Sequence, residues 1–325
     1  MTFGRIVRFF VVPLVAALGL TACGGDKPSS SGTGPEKTHI TVGTLPVPDA
    51  APLFIAIERG FFKAEGLTVK PELIQSSPLA TPKLVAETMD FSLLNYVSTF
   101  SIQEKGAVKF KLVADAFEAG PNGFLVLTSQ DSDIREPDDL VGKKIAQPAL
   151  SGIGPLAVAA TLKNHGLDQS KVTFVPMPFP NMEAALKAGA VDAVWVTEPF
   201  ITSIQKNLAA RTVADTMSGP MADFPIAGWG TVAQYTSKYP KTVAAFRRAM
   251  ARAQRIAAAD RKVVQEILPS YTQIDAHTAG LISLGTYPTS LNPTRLQRVA
   301  DVMQQFGHLR TSIDVGSMIL SDARG

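Results

Sequence analysis

Carboxylate and aromatic side chains follow several predicted strands of this 325-residue chain, in the loops where α/β proteins bind small molecules. Aromatic rings stack on flat ligands and attract cations, and carboxylates such as Asp49 and Glu198 accept hydrogen bonds from amines. These loops contain no lysine or arginine, so they favour a flat, nitrogen-bearing or cationic ligand, although helix N-termini alone can also hold an anion. The residues predicted to bind ligand are Asp49, Ser76, Asn95, Tyr96, Phe117, Ser151, Gly152, Asn181, Trp195, Thr197, Glu198 and Trp229.

These side chains also have structural explanations. Aromatic residues near a junction between two lobes are more often part of the core than of a ligand site. Asp49 could cap the helix that is predicted to begin near Pro52. Glu198 could cap the helix after Pro199 or close the turn before it, so a structural role and a ligand contact both remain open for this residue.

Other kinds of chemistry fit the sequence poorly. The run Gly152-Ile153-Gly154-Pro155-Leu156-Ala157 matches a dinucleotide-binding fingerprint, but it begins too far beyond the preceding strand and no acidic residue follows to hold a ribose. The 4 histidines lack the spacing of metal ligands, and no G-x-S-x-G motif occurs. We therefore expect no catalytic residue, no metal and no cofactor.

The composition is typical of a globular protein. The chain is 46% hydrophobic and 18% charged, which excludes disorder, and its length is enough for about two domains. A net charge of +3 without a long basic block argues against a nucleic-acid partner. The single cysteine excludes a disulfide framework.

The N-terminus has the pattern of a secretory signal peptide. Arg5 and Arg8 precede an apolar run over residues 9–20, which is shorter than the roughly 20 residues that a membrane-spanning helix needs. The run ends in Leu20-Thr21-Ala22-Cys23, which resembles the lipobox of bacterial lipoproteins. That resemblance implies acylation of Cys23, and the alternative is an ordinary signal peptide followed by a buried cysteine.

The rest of the chain alternates strands and helices in two rounds, and a mostly helical tail follows. Each round predicts a mostly parallel sheet that is covered on both faces. Residues 84–91 and 186–193 share one pattern and place Asn95 and Thr197 at equivalent positions, just past the carboxyl ends of their strands. The predicted strands cover residues 39–45, 67–74, 91–94, 110–114, 124–128, 142–146, 172–175, 191–196 and 226–233.

Several motifs, in this order and spacing, resemble one large family: the solute-binding proteins of ABC importers for sulfonates, nitrate, taurine and thiamine-pyrimidine precursors. The resemblance implies the type II periplasmic-binding-protein fold, in which two α/β lobes are joined by two hinge strands with a ligand cleft between them. The motifs are Pro52-Leu53 with Ala56, Gly60-Phe61-Phe62, Glu65-Gly66-Leu67, Leu140-Val141-Gly142-Lys143-Lys144-Ile145-Ala146, Ala185-Leu186-Lys187-Ala188-Gly189-Ala190-Val191-Asp192-Ala193 and Glu198-Pro199.

The resemblance also implies a domain order, with hinges at about residues 123–128 and 226–232. The expected segments are a signal peptide (1–22), a lipidated flexible tether (23–37), the first part of lobe 1 (38–125), lobe 2 (126–225), and a return hinge with the helical part of lobe 1 (226–325).

The function that the resemblance implies is capture of a small organic solute outside the cytoplasm. The protein is then a monomer, held on the outer face of the cell membrane by its lipid, and it delivers the solute to a permease and an ATPase on other chains. A pyrimidine-precursor biosynthetic enzyme on the same fold is the alternative. Arg247, Arg248, Arg252 and Arg255 form either a docking surface for the transporter or anionic lipid, or a solvated helix face.

Overall fold

The structure is a computed structural model that describes residues 34–321. The predicted signal peptide and Cys23 lie outside the described residues. Glu36 and Lys37, which the sequence analysis assigned to the tether, both hydrogen bond to Thr242. The Glu36 carboxylate accepts from the backbone N–H of Thr242 at 2.8 Å, and the backbone N–H of Lys37 donates to the Thr242 hydroxyl at 2.9 Å.

In the part of the chain that the structure describes, ten strands form two sheets of five strands each, in the orders β2-β1-β3-β10-β4 and β7-β6-β8-β5-β9. The strands are β1 (His39–Thr44), β2 (Thr68–Leu73), β3 (Phe91–Asn95), β4 (Phe110–Glu118), β5 (Phe124–Thr128), β6 (Lys144–Gln147), β7 (Thr173–Pro176), β8 (Ala193–Thr197), β9 (Arg211–Asp215) and β10 (Pro225–Val232).

Helices cover the sheets and form most of the chain after β10. They are α1 (Ala51–Glu58), α2 (Phe61–Ala64), α3 (Ala80–Val85), α4 (Tyr96–Glu104), α5 (Ile153–Asn164), α6 (Phe179–Lys187), α7 (Phe200–Leu208), α8 (Ala233–Lys238), α9 (Pro240–Ala259), α10 (Arg261–Ile267), α11 (Ala276–Leu281) and α12 (Pro293–Gln305). Within residues 34–321, no helix combines the length and apolar character that crossing a membrane requires.

The two sheets have the same topology. In each, four strands run in one direction, and one strand, β10 in the first sheet and β5 in the second, is inserted in reverse between two of them. The prediction of mostly parallel sheets is confirmed, and the reversed strands are what the sequence did not reveal. β3 and β8 occupy corresponding places, so Asn95 and Thr197 end equivalent strands, as predicted.

The central strands are the most buried. Every residue of β5, β8 and β10 is buried, and β3 is buried except at its last residue, because helices pack on both faces of each sheet. β9 is a half-exposed edge strand that the sequence analysis missed. The chain passes from the first sheet to the second through residues 119–123 and returns through residues 216–224.

Arginines of α9 attach that helix to the first sheet and its neighbours. Arg247 donates to the backbone oxygen of Val113 at 3.0 Å, and Arg248 donates to Glu65 at 2.8 Å. The guanidinium carbon of Arg252 lies 4.0 Å from the centre of the Phe61 ring. Three of the four arginines in the predicted docking surface therefore have internal partners, and docking itself stays a prediction.

Candidate ligand cleft

One cavity lies where the ends of both sheets meet. It contains about 580 Å³ of space not filled by protein atoms, part of it open to solvent. The first sheet and the segments that follow its strands contribute Leu45, Val47, Asp49, Ser76, Ser77, Pro78, Leu93, Asn95, Ser98, Ile226 and Ala227. The second sheet and its segments contribute Phe124, Pro148, Ala149, Gly152, Ile153, Gly154, Phe179, Trp195 and Thr197.

The structure brings half of the predicted ligand-binding residues to this cavity. Because side chains alternate along a strand, Leu93 and Asn95 share one face of β3, and Trp195 and Thr197 share one face of β8. Both pairs line the cavity. The predicted residues on its wall are Asp49, Ser76, Asn95, Gly152, Trp195 and Thr197.

Three of the predicted aromatic residues lie in the core of the first lobe instead. The hydroxyl of Tyr96 donates to Asp115 at 2.9 Å, and Phe117 packs edge to face on Tyr287. Trp229 is fully buried, and its ring makes an edge-to-face contact with the Phe246 ring of α9. These positions agree with the structural explanation that the sequence left open for aromatic residues.

Ser151 and Asn181 do not line the cavity either. Ser151 is half-buried and borders a separate surface depression beside His308, and Asn181 is exposed on α6.

Glu198 has a structural role in this conformation. Its carboxylate accepts hydrogen bonds from the backbone N–H of Thr202 at 3.1 Å and from the Thr202 hydroxyl at 2.9 Å, so it satisfies one N–H in the first turn of α7. It also accepts from the backbone N–H of Ser283 at 3.1 Å, which links the start of α7 to the segment after α11. Burial raises the pKa of Glu198 above its ordinary value, and these hydrogen bonds oppose that rise.

Aromatic rings form the second sheet's side of the cavity. Trp195 stacks on Phe124 with 5.5 Å between ring centres and on Phe179 with 6.4 Å. The indole N–H of Trp195 donates to the Thr216 hydroxyl at 3.0 Å, so the orientation of the ring is fixed. Gly154 lies against this ring, since a Cβ there would be 3.1 Å from Trp195 Cε3.

The polar groups around the cavity differ in how far they are satisfied by protein partners. Asn95 caps α4 by accepting from the Ser98 N–H at 3.2 Å, and its amide donates to the Ile226 oxygen at 3.2 Å. α5 begins at the cavity, and its N-cap residue, Gly152, has no side chain to cap it. The first N–H groups of α5 are therefore without the usual capping acceptor.

Asp49 is the only residue with an ionisable side chain among the described residues that line the cavity. It is 4% exposed, and its Oδ1 atom has no hydrogen-bond partner in the protein. Burial raises the pKa of Asp49 from 3.8 to about 7. The prediction that Asp49 caps a helix is wrong: a 3-10 turn, Pro48–Ala50, precedes α1, and the N-cap of α1 is Ala50, without a side-chain cap.

The sequence analysis missed several residues that line the cavity, and only some of them leave a signal in the sequence. Leu93 follows from the period-2 alternation that ends at Asn95. Phe124, Ile226 and Ala227 lie at the beginnings of the reversed strands β5 and β10, and no local pattern gives a strand's direction.

The described part of the chain contains no group of three or more His, Cys, Asp or Glu side chains that could hold a metal ion.

The fold and the cleft define a class of protein. The solved structure of the alkanesulfonate-binding protein SsuA from Xanthomonas axonopodis pv. citri, bound to MOPS, superposes with a TM-score of 0.73 at 17% identity, covering 88% of this chain and 99% of that one. The nitrate-binding protein NrtA from Synechocystis PCC 6803 also gives 0.73 at 17% identity, covering 88% and 86%. The chain has the type II periplasmic-binding-protein fold, as predicted.

The sequence places the chain within a family of that class. Residues 47–262 match the NMT1/THI5-like family model, and the chain belongs to this family. The taurine-binding periplasmic protein of Escherichia coli is 28% identical over 124 residues, which cover 37% of each chain. The nitrate/nitrite binding protein NrtA of Synechococcus elongatus is 26% identical over 279 residues, covering 74% of this chain. The matches span 37% and 62% of the lengths of these two relatives.

Proposed function

We propose that this protein is the extracytoplasmic solute-binding component of an ABC importer, and that its solute binds in the cleft described above. The observation that carries the proposal is the position of the cavity, whose wall is built from the ends of both sheets. A small molecule in it touches both halves of the protein. The family and the binding proteins on the same fold support this assignment.

The proposed solute belongs to the sulfonate, nitrate and taurine class or to the thiamine-pyrimidine class, and the lining favours an aromatic heterocycle. Phe124, Phe179 and Trp195 offer apolar ring surface on one side, and such surface suits a flat ligand. No lysine or arginine occurs among the described lining residues to pair with a fully ionised anion.

Delivery depends on closure of two lobes in this proposal. The lobes comprise residues 38–125 with 226–325, and residues 126–225. A solute favours the closed form only through contacts that it makes there and not in the open form. A permease then recognises the closed, loaded protein, and the permease and its ATPase are separate chains. The protein acts as a monomer that binds and releases its solute unchanged.

We also propose that the protein is anchored to the outer face of the cell membrane through Cys23. The apolar run before this residue and the lipobox-like Leu20-Thr21-Ala22-Cys23 support acylation there. Acyl chains contribute about 0.8 kcal/mol for each buried methylene, and stable anchoring takes two such signals.

Tryptophan fluorescence tests the proposed site directly, because the chain has only 2 tryptophans and only Trp195 lines the cavity. Taurine, nitrate, an aminopyrimidine and thiamine are each titrated into the parent protein, the Trp229→Phe variant and the Trp195→Phe variant. We expect a ligand-dependent change in emission that persists in Trp229→Phe and is absent in Trp195→Phe. Trp229 is the matched control, since it is equally buried but lies away from the cavity.

Thermal unfolding in the same ligands gives a second readout. A ligand at about a thousand times its dissociation constant adds roughly 4 kcal/mol to stability, enough to raise Tm by several degrees. An emission change that follows Trp229 would contradict the assignment of the cavity. No shift with any of these compounds would contradict the proposed solute class, and chemically altered ligand after incubation would favour an enzyme of the same family.

A further inference from the structure

The carboxyl group of Asp49 is buried in the cavity wall without a complete set of hydrogen-bond partners. Asp49 is 4% exposed, and Oδ1 contacts neither solvent nor a protein donor. An unpaired, desolvated carboxylate is unfavourable, and buried carboxylates are normally paired or fully hydrogen bonded. Its position on the wall of the cavity indicates that the missing partner enters with the ligand.

The hydroxyl groups of the two tyrosines that interact electrostatically with Asp49 are already committed elsewhere. The Tyr271 hydroxyl donates to the backbone oxygen of Val47 at 3.2 Å, and the Tyr287 hydroxyl donates to the backbone oxygen of Pro48 at 3.0 Å. A phenol has a single O–H to donate, so neither can also donate to Asp49. The two tyrosines therefore fix the backbone immediately before Asp49 and leave its carboxyl group for the ligand.

The second lobe's side of the cavity presents groups of the opposite kind. α5 begins at Ile153, and no side chain caps its N-terminus. Its N-cap residue Gly152 and its first two residues, Ile153 and Gly154, line the same cavity as Asp49. Unsatisfied N–H groups and the helix dipole favour an acceptor atom or a negative charge. The cavity thus has an acceptor on the first lobe's side and donors on the second lobe's side.

We infer that Asp49 is a specificity-determining residue that accepts a hydrogen bond from an amine or amino nitrogen of the solute, while the acceptor end of the same solute faces the N-terminus of α5. This inference rests on the proposed function of the cleft and narrows its substrate class. An aliphatic zwitterion and an amino-substituted heterocycle both carry the required nitrogen. Nitrate and sulfonates without an amine do not.

Matched pairs of probes test the inference and distinguish the two kinds of solute that carry such a nitrogen. The first pair is taurine and ethanesulfonate, which differ only in the amine. The second pair is an aminopyrimidine and the methylpyrimidine of the same shape. Dissociation constants are measured by calorimetry for the parent protein, for Asp49→Asn and for the control Glu58→Gln, which removes an exposed carboxylate from α1 outside the cavity.

We expect the protein to discriminate within one pair and to bind the member that has the amino group about tenfold or more tightly than its partner. Asp49→Asn should weaken that member by about tenfold or more and leave the donor-free member within about twofold, and Glu58→Gln should change neither. Unfolding of Asp49→Asn without ligand checks its fold, and the neutral side chain should be no less stable above neutral pH.

The possible failures are distinguishable. The role of Asp49 would be overturned, and the proposed function left intact, by either of two results. One is equal binding within both pairs, and the other is an Asp49→Asn variant that binds the member with the amino group as tightly as the parent does. Binding of neither pair, with a folded parent protein, would overturn the proposed solute class and with it this inference.

Discussion

The carboxyl group of Asp49 should contribute less to the stability of the ligand-free protein as pH rises towards neutrality. Burial raises the pKa of this carboxyl group from 3.8 to about 7 in the folded state, whereas in the unfolded chain it returns to its ordinary value. The folded protein therefore binds the proton more tightly than the unfolded chain between these two pKa values. The stability that protonation contributes is fully present below the unfolded pKa and is lost as pH rises through the folded one.

The size of the effect follows from the pKa difference. Each pKa unit corresponds to about 1.4 kcal/mol at 25 °C, so the rise to about 7 corresponds to an effect on the order of 4 kcal/mol. The Asp49→Asn side chain does not titrate. Its free energy of unfolding relative to the parent should therefore increase by about 4 kcal/mol between acidic and mildly alkaline pH.

Other titratable groups should not obscure this difference. Burial holds the pKa values of Tyr271 and Tyr287, the tyrosines beside Asp49, well above 10, so both stay neutral over the range. The pKa of Asp115 is also raised to about 7 by burial, but Asp115 is present in both proteins and its contribution cancels.

Denaturant unfolding of the parent, Asp49→Asn and Glu58→Gln over a series of pH values measures the effect. Glu58 is exposed on α1, so its variant should follow the parent's pH dependence. If Asp49→Asn also follows the parent at every pH, the carboxyl group is not desolvated, and the reasoning that assigns it to a ligand nitrogen fails.

Two further changes test the cavity wall and the anchor. Gly154→Ala should lower stability by about 1–3 kcal/mol and weaken solute binding, because the added Cβ would overlap the Gln147 side chain and press on Trp195. Unfolding and titration experiments measure both effects, and Gly280→Ala, whose Cβ meets nothing within 4 Å, is the control. Cys23→Ser should move the protein from the membrane fraction to the soluble fraction of fractionated cells, and retention in membranes would show that another segment anchors it.

The sequence predicted most of the fold because the elements leave local signals. Eight strands were found near their observed positions, and β10 was found as the return from the second lobe. The edge strand β9 was missed because its half-exposed sequence, Arg211–Asp215, has neither a buried run nor a clear alternation. Repeats of a helix end, a turn and an aspartate correctly indicated that Asn95 and Thr197 end equivalent strands.

The candidate site was harder to predict because part of it depends on contacts between distant segments. Phe117 is near the end of β4, as a ligand-binding residue would be, but the segment around Thr286 pairs with Glu118 and brings Tyr287 onto the Phe117 ring. Nothing in the sequence near Phe117 indicates this cover. Glu198 likewise receives a hydrogen bond from Ser283, which is far away along the chain.

The direction of the two inserted strands, β5 and β10, accounts for the remaining differences between the predicted and the observed site. Trp229 was expected at the cleft, but β10 runs away from it, and the Trp229 ring packs against Phe246 of α9 instead. The same direction places Phe124, at the start of β5, and Ile226 and Ala227, near the start of β10, on the cavity wall.

This arrangement gives the cleft a direct connection to both passages between the sheets. Residues 119–123 lead into Phe124, and residues 216–224 lead into β10, whose Ile226 and Ala227 line the cavity. A solute that packs against Phe124 and Ala227 touches the chain immediately beyond each passage. Its differential contacts with two arrangements of the sheets would then shift the balance between them, because a ligand moves a conformational equilibrium only through such differences.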